Sequence, residues 1–295
     1  MKFFHLGTPY TSLCHCRQHL MPNLVRLSRL CMSYTVYFML IVLGPGDVTA
    51  DCLNPIALWK LEESGAAPNF QDEVNLGQHA GVCREAAGVP VCPAPEPARY
   101  GIGQRFYVGS QLSGIDIPSS AIFNWGSTDN FSISFWMRRD NAPLQANEVI
   151  VGRDSTEAGN NLHWWIGLNH SGDAEALFKD ACGSPSANRD LRADKLLTDN
   201  QWHYIVFVRN GATNENSLYV DGHLEDKIYV PYCQNAFIAA STPINIGWIK
   251  LDDKYQYKGI VDEIALYDKA LPQWFIHDRY YADERYTSGH VDPCN

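Results

Sequence analysis

The chain has 295 residues and a formal net charge of −10 at pH 7, with 33 acidic against 23 basic side chains. An acidic chain without a Lys/Arg cluster repels phosphate groups, so we expect neither nucleic acid nor an anionic membrane surface as its partner. This charge suits a protein that works outside the cytoplasm and holds a cation.

Residues 1–50 are typical of an export signal. Two arginines precede an apolar run from Tyr34 to Leu43, and Val48-Thr49-Ala50 offers a cleavage site of small residues. The alternative is a retained membrane anchor, but the run has about half of the roughly 20 apolar residues that a spanning helix needs. We therefore predict a removed signal peptide, with Met21 as an alternative start, and a secreted or cell-surface protein that keeps no stable membrane span. In a bacterium the location would be the periplasm or the outer surface.

Residues 51–295 have a length that a single β-sandwich commonly fills. Segments that alternate, or are rich in aromatic and β-branched residues, recur between clusters of Gly, Pro, Asn and Asp, which is typical of an antiparallel sandwich. One helical pattern comes late, over Leu271–Tyr281. The predicted strands are Ile56–Leu61, Arg105–Val108, Phe131–Arg138, Glu148–Gly152, His163–Leu168, Tyr204–Arg209, Leu218–Val220, Ile244–Ile249 and Ile260–Leu266.

Two segments carry the clearest strand patterns. Alternation over Phe131–Met137 places its four apolar residues (Phe131, Ile133, Phe135 and Met137) on one face, which we expect to be core. Asp199–Gly211 and Leu218–Gly222 together predict a β-hairpin, since a polar turn and an alternating strand are followed by a Gly/Asn loop and a second short strand that ends at Asp-Gly.

This hairpin resembles, nearly residue for residue, the corresponding hairpin of the laminin-G-like, concanavalin A-type jelly rolls. The residues that carry the resemblance are Trp202-His203, Arg209 and Leu218–Gly222. The resemblance extends from about Ile56 to Tyr281. It implies one antiparallel jelly-roll β-sandwich with one short C-terminal helix, in a family that mostly binds glycans or proteins, often with calcium. The other similar segments follow in the family's order: Ile56–Gly65, Phe70–Gly81, Gly101–Pro118, Phe131–Arg138 and Tyr257–Leu271.

Cysteine usage agrees with export. An even number of cysteines in an exported chain favours three disulfides, and no C-x-x-C or histidine-rich spacing indicates zinc. Cys83 and Cys92 flank a short loop that contains Gly and Pro, which favours their pairing. The six cysteines outside the first fifty residues are Cys52, Cys83, Cys92, Cys182, Cys233 and Cys294.

The family resemblance implies the other two pairs among the fifteen arrangements that six cysteines allow. A jelly roll brings the two ends of the domain together, which favours Cys52 with Cys294. Cys182 and Cys233 are then left for each other.

The sequence does not favour an enzyme. Glucanases of this fold carry catalytic carboxylates on one strand face as Glu-x-Asp-x-x-Glu, and a glycosidase needs two of them flanking the sugar. That motif is missing. Asp72-Glu73 and Asp262-Glu263 are adjacent pairs whose side chains would leave a strand on opposite faces. No Gly-x-Ser-x-Gly motif indicates a serine nucleophile.

A structural calcium ion is implied by the resemblance. Asp72 and Asp262 match the positions where the family commonly holds calcium, and Asn75 could add an oxygen, as calcium takes six to eight. Asn75-Leu76-Gly77 departs from the family's Gly-Asn-Gly at this loop. The alternative is that Asp72 caps a turn and Asp262 begins an exposed strand end.

The candidate ligand surface is a tryptophan pair. Trp164 and Trp165 are adjacent on a predicted strand, so one ring should face the core and the other should face outward, where it could stack on a sugar. Packing at the core or rim is the competing interpretation for either ring. Asp154 and Asp180 end strands and could hydrogen-bond a ligand, or could be solvated rim charges.

These observations predict a non-catalytic recognition or adhesion module whose ligand is a glycan, bound in a calcium-dependent way. A protein-interaction or structural domain of a cell-surface assembly is the first alternative. A glucanase-type glycoside hydrolase is the second, against which the missing carboxylate motif argues.

Overall fold

The computed structural model describes residues 53–65, 68–155, 161–183 and 189–282. They belong to one compact unit, Ala50–Asn295. The predicted signal peptide and the predicted Cys52–Cys294 disulfide lie outside the described residues. In the described part, no helix is both long and apolar enough to cross a membrane.

The described residues form sixteen strands and one α-helix, α1 (Gln273–Tyr280). The strands are β1 (Ala57–Trp59), β2 (Val82–Ala86), β3 (Val89–Val91), β4 (Ala94–Pro97), β5 (Ile102–Arg105), β6 (Ile115–Ile117), β7 (Phe131–Arg139), β8 (Glu148–Asp154), β9 (His163–Leu168), β10 (Asp173–Lys179), β11 (Arg189–Leu196), β12 (Trp202–Asn210), β13 (Glu215–Val220), β14 (His223–Tyr229), β15 (Ile244–Ile246) and β16 (Gly259–Tyr267).

The strands make two antiparallel sheets, as a jelly-roll sandwich requires. The first sheet has the order β14-β13-β12-β7-β16-β5-β4, and β1 also pairs with β16. The second has the order β11-β10-β9-β8-β15-β6-β2-β3. The predicted fold class is therefore confirmed.

The core lies between the sheets and is rich in aromatic rings. The predicted inner face of β7 is confirmed, because Phe131, Ile133, Phe135 and Met137 are all fully buried there. Phe178 of the second sheet stacks on Phe207 of the first, with ring centroids 3.9 Å apart. Aromatic pairs of this kind hold the two layers in register.

The outer face of the first sheet is covered. Trp136 and Tyr204 point away from the core and are nevertheless buried, together with Ile276 of α1. The ring of Trp136 stacks on Tyr280 of α1 at 5.7 Å. Helix α1 therefore closes this face, while its Trp274 stays 61% exposed.

Two predicted strands have different bounds in the structure. The strand predicted at Arg105–Val108 is β5, which ends at Arg105 because Tyr107 adopts a left-handed φ of 62°. The strand predicted to reach Ile249 ends at Ile246, because Gly247 turns with a φ of 76°. Strands β2, β3, β4, β6, β11 and β14 were not predicted, and of β10 only the end beside Asp180 was predicted.

Two predicted disulfides are present. Cys83–Cys92 bridges the β2–β3 hairpin, whose turn is formed by Ala87 and Gly88 at φ values of 52° and 78°. Cys182–Cys233 joins the segment after β10 to the segment after β14.

Candidate ligand-binding cleft

Strand β9 separates the two tryptophans that the sequence proposed as ligand contacts. Trp164 faces the core, where its ring stacks on Phe178 with centroids 5.4 Å apart. Trp165 faces the opposite side because successive side chains of a strand alternate, and it packs with Val149 and Ile249 outside the core. Trp165 is thus the outward ring, and Trp164 is a core residue rather than a ligand contact.

Trp165 forms part of a cleft of about 270 Å³ on the outer face of the second sheet. Val149 of β8 and Leu177 of β10 extend its apolar floor on either side. Ligand sites commonly measure roughly 300–1,000 Å³, so this cleft suits a small group such as a single ring. The residues after β15 that also line the cleft are Ile249, Leu251 and Tyr255.

The segment that carries these three residues, the wall loop (residues 248–256), is held by its neighbours. Asp253 forms an ion pair with Arg84 of β2, whose guanidinium lies 3.9 Å from the ring centre of Trp248. The indole N–H of Trp248 donates to Asp116 at 3.0 Å. Nε2 of Gln256 donates to the backbone carbonyl of Ser113 at 2.7 Å. The wall is therefore attached to β2, β6 and the segment before β6.

Three charged residues form the polar side of the cleft. Glu175 of β10 is 2% exposed and lies with its Oε2 3.2 Å from Nε of Arg192. Nη2 of Arg192 donates to Asp190 at 3.1 Å on the same strand, β11. Burial raises the pKa of Glu175, which the charge of Arg192 offsets in part. Asn147 also lines the cleft.

Asp154 acts on the cleft through His163. Its Oδ2 lies 2.7 Å from Nδ1 of His163, and His163 lines the cleft while Asp154 does not. A proton on Nδ1 that is donated to the carboxylate leaves Nε2 of the ring as an acceptor. Asp154 therefore orients a cleft residue, so its predicted role is indirect.

Asp180 lies away from the cleft, contrary to its prediction as a ligand contact. It is fully buried, and its Oδ2 accepts a hydrogen bond from the backbone N–H of Cys233 at 3.1 Å. In the described part, one cluster of potential metal ligands consists of Asp180, Cys182 and Cys233, whose ligand atoms lie within 4.8 Å of one another. The two sulfurs are bonded to each other, so neither is a thiolate that could bind a metal.

Asp72, the first predicted calcium ligand, is fully buried and saturated by donors. Its Oδ1 accepts hydrogen bonds from the backbone N–H groups of Leu58 and Val74, at 3.1 and 3.0 Å. Its Oδ2 meets Nδ2 of Asn75 and Nδ1 of His79, each at 2.9 Å. Burial alone would raise the pKa of Asp72, but these four hydrogen bonds outweigh it and lower the pKa.

Asp262 is as buried as Asp72 but has fewer hydrogen-bond donors around its carboxylate. It lies where β16 changes partner from β5 to β1 and the register shifts. Its Oδ2 accepts from the backbone N–H of Tyr100 at 2.9 Å, whereas its buried Oδ1 accepts no hydrogen bond from the described residues. Burial, aided by the nearby carboxylates of Glu263 and Glu62, raises the pKa of Asp262 to about 7.

The predicted set of Asp72, Asn75 and Asp262 does not fit a shared calcium ion in this arrangement. Calcium takes six to eight oxygen ligands, but both oxygens of Asp72 already face N–H donors. Asn75 turns its amide nitrogen, not its oxygen, toward Asp72 and toward the carbonyl of Ile56. Asp262 alone keeps an oxygen without a donor. Calcium binding stays a prediction that needs a direct test.

Sequence reasoning missed most of the cleft. Glu175 lies on β10, of which only the end was predicted, and Asp190 and Arg192 lie on β11, which was not predicted as a strand. The sequence did contain a strand signal, because residues of Asp173–Lys179 alternate between the two faces. Ala174, Ala176 and Phe178 point inward and are buried, and the residues between them point outward. Its outward side chains are mostly charged, so the segment resembles a solvated loop when it is considered alone.

The family model for the concanavalin A-like lectin/glucanases superfamily matches residues 110–276, more than half of the chain. The chain belongs to this superfamily. The cleft residues from Asn147 to Tyr255 all fall inside the matched range, so the resemblance that the sequence motifs indicated is confirmed.

Three members or structural neighbours illustrate the range of similar proteins. A non-toxic nonhemagglutinin from Paraclostridium bifermentans is 25% identical over 177 residues, which are 60% of this chain and 14% of that protein. The binding domain of Paraclostridial Mosquitocidal Protein 1 superposes with a TM-score of 0.58 at 18% identity, over 77% of this chain and 51% of that one. Domain 4 of an extracellular arabinanase from Geobacillus stearothermophilus, solved with arabinotriose, superposes at 0.57 and 18% identity, over 76% of this chain and 97% of that domain.

Proposed function

We propose that this superfamily member is a non-catalytic module that binds a carbohydrate in the cleft on the outer face of its second sheet. The observation that carries the proposal is the composition of the cleft. Trp165 and Tyr255 offer aromatic surface, and charged side chains from β10 and β11 stand beside it. The structural neighbour solved with arabinotriose supports a sugar as the kind of ligand.

A sugar ring has one apolar face of C–H groups and a rim of hydroxyls. Aromatic side chains bury the apolar face, and charged side chains form strong hydrogen bonds with hydroxyls in a partly dehydrated site. Glu175 offers an acceptor, Arg192 a donor, and His163 an acceptor at Nε2 when Nδ1 donates to Asp154. The two kinds of surface meet in one cleft of small size, which suits the end or one unit of a glycan.

The same carboxylates are poorly placed for hydrolysis. A glycosidase places an acid and a second carboxylate on the two sides of the bond that breaks. Glu175 and Asp190 instead leave neighbouring strands on one face and share the guanidinium of Arg192. We therefore infer binding without cleavage. Release of smaller products from a bound oligosaccharide, lost in a Glu175→Gln variant, would establish the hydrolase alternative instead.

The test is a glycan array with wild type and two variants. Tyr255→Ala should lose binding, because it removes an aromatic wall of the cleft. Trp274→Ala is the matched control, since it removes an exposed aromatic ring from α1 on the other sheet and should bind as wild type does. If no glycan binds, the carbohydrate proposal is wrong and the protein-interaction alternative replaces it. If Tyr255→Ala and Trp274→Ala both bind as wild type does, the glycan site is not this cleft.

Export and calcium dependence accompany the proposal as predictions from the sequence. N-terminal sequencing of the protein recovered from its natural source should begin near Asp51. The array repeated with a chelator tests calcium dependence, and unchanged binding would separate the glycan site from any metal.

A further inference from the structure

We propose that the cleft selects a sugar carrying a protonated amino group over its neutral and acidic counterparts. This inference rests on the proposed carbohydrate-binding function and names the chemical class of the ligand.

The first argument is the balance of charge on the face that surrounds Trp165. Glu175 and Asp190 line the cleft with Arg192 as their shared cation. Asp154 stands behind His163, and Asp173 lies on the same strand as Glu175 and faces the same side.

Lys179 of β10 is the second cation of this face, opposite His163 in the strand register. Four carboxylates (Glu175, Asp190, Asp154 and Asp173) therefore stand against two cations, Arg192 and Lys179, on this face. The wall loop does not reverse this sign, since its Asp252 pairs with Lys254 and its Asp253 with Arg84. Its remaining cation, Lys250, adds one positive charge near Asp116 and leaves the sum negative. A negative, partly dehydrated cleft attracts cations and repels anions.

The second argument is the state of Glu175. Its Oε2 is buried and accepts no hydrogen bond from the described residues, although Arg192 lies 3.2 Å away. The side chain of Arg192 is 59% exposed, so solvent replaces its contact with Glu175 if a ligand takes its place. A buried carboxylate oxygen without a donor is costly, and a ligand ammonium with three N–H groups supplies donors directly.

The third argument is the floor of the cleft. An ammonium group close to the face of a tryptophan ring is attracted by the ring quadrupole, and Trp165 provides such a ring beside Glu175. A sugar amine in this place meets a carboxylate and an aromatic face together. A uronic or sialic acid would instead bring a third carboxylate beside Glu175 and Asp190, which like-charge repulsion disfavours.

Titrations of the purified protein with matched hexoses test the proposal. Glucose, galactose and mannose are each compared with their 2-amino and uronic acid forms, and the signal followed is the indole N–H resonance of Trp165 by NMR. At a pH where the amine is protonated, at least one amino sugar should bind about tenfold more tightly than its parent, the gain expected of one charged hydrogen bond. The uronic acids should bind more weakly than the parents.

Variants locate the effect. Glu175→Gln should abolish the preference for the amine, so that an amino sugar and its neutral parent bind with similar affinity, whereas Glu215→Gln, on the other sheet, should preserve the preference. If Glu175→Gln does not fold, Asp190→Asn replaces it and should reduce the preference. Binding of neutral sugars without preference for the amine overturns this inference and leaves the carbohydrate function standing. Failure of every hexose to bind overturns this inference, whereas the carbohydrate function is overturned only if the glycan array also shows no binding.

Discussion

The outer faces of the two sheets both carry aromatic side chains, but different parts of the chain pack against them. On the first sheet, Trp136 and Tyr204 point outward and are buried beneath α1. On the second sheet, Trp165 also points outward and is 5% exposed, but the residues around it, Tyr255 and charged side chains among them, form a cleft. Strand alternation alone brings aromatic rings to both faces. Whether an outward ring stabilises the fold or can meet a ligand depends on what covers it.

Trp136→Ala should produce the largest effect and tests the covered face. Truncation of a large buried aromatic ring costs roughly 3–5 kcal/mol of the free energy of unfolding, and this variant also removes the stack with Tyr280. Denaturant unfolding measures the loss, and sugar binding under folding conditions should stay unchanged. A stability close to wild type would mean that α1 does not cover this face in solution.

Asp262→Asn should have the second-largest effect on stability, and this effect depends on pH. Burial raises the pKa of Asp262 from an ordinary 3.8 to about 7, so between about pH 4 and pH 7 the folded state holds a proton that the unfolded state has lost. Stability therefore falls as pH rises through this window.

The Asn variant removes that ionisation. At pH 8 it should be more stable than wild type by up to about 4 kcal/mol, because a tenfold change in proton affinity corresponds to roughly 1.4 kcal/mol. At pH 4 the two proteins should be similar. Thermal unfolding across pH measures the difference. A wild type whose stability rises from pH 5 to pH 8 relative to the variant would contradict it.

Asp72→Asn distinguishes a hydrogen-bonding role from calcium binding. Because all four contacts of Asp72 are with N–H donors, the loss of acceptors should cost about 1–3 kcal/mol, equally with and without a chelator. If calcium binds through Asp72 and Asp262, EDTA should instead lower the melting temperature of wild type, and neither Asn variant should respond. Elemental analysis of the purified protein decides between the two.

Arg84→Ala should give the smallest effect, and it tests the wall loop of the cleft. Both partners of its contact with the Trp248 ring are buried, where such a contact is worth up to about 2 kcal/mol, and the variant also leaves Asp253 without its cation. The wall loop should loosen, and sugar affinity should fall a few-fold by calorimetry. The matched control is Arg105→Ala, which breaks ion pairs with Glu96 and Asp140 away from the cleft and should bind normally.

The comparison of the two faces also shows how far the sequence could lead. The inner face of β7 and the hairpin of β12 and β13 were predicted, because their signals are local: alternation over a few residues and a turn of fixed composition. The same alternation predicted that one of Trp164 and Trp165 would face outward. The choice between them, and the burial of Trp136 beneath α1, depend on which face each strand presents and what packs on it.

The cleft itself could not be predicted from local pattern. Its wall is fixed by the pairing of Arg84 with Asp253, which are 169 residues apart in the chain. Glu175 and Arg192 meet because β10 and β11 pair, and both strands carry charges that resemble those of a loop. Asp72 matches a family position that suggested a metal, and the fold surrounds it with four N–H donors, which no local pattern in the sequence indicated.

The measurement that tests the account most directly is the NMR response of the tryptophan indole signals to a sugar that the protein binds. The account predicts that the indole N–H of Trp165 shifts with ligand concentration. Those of Trp136 and Trp274, on the face that carries α1, should stay in place. A shift of the Trp136 or Trp274 signal with the Trp165 signal unchanged would contradict the proposal that the cleft on the second sheet is the binding site.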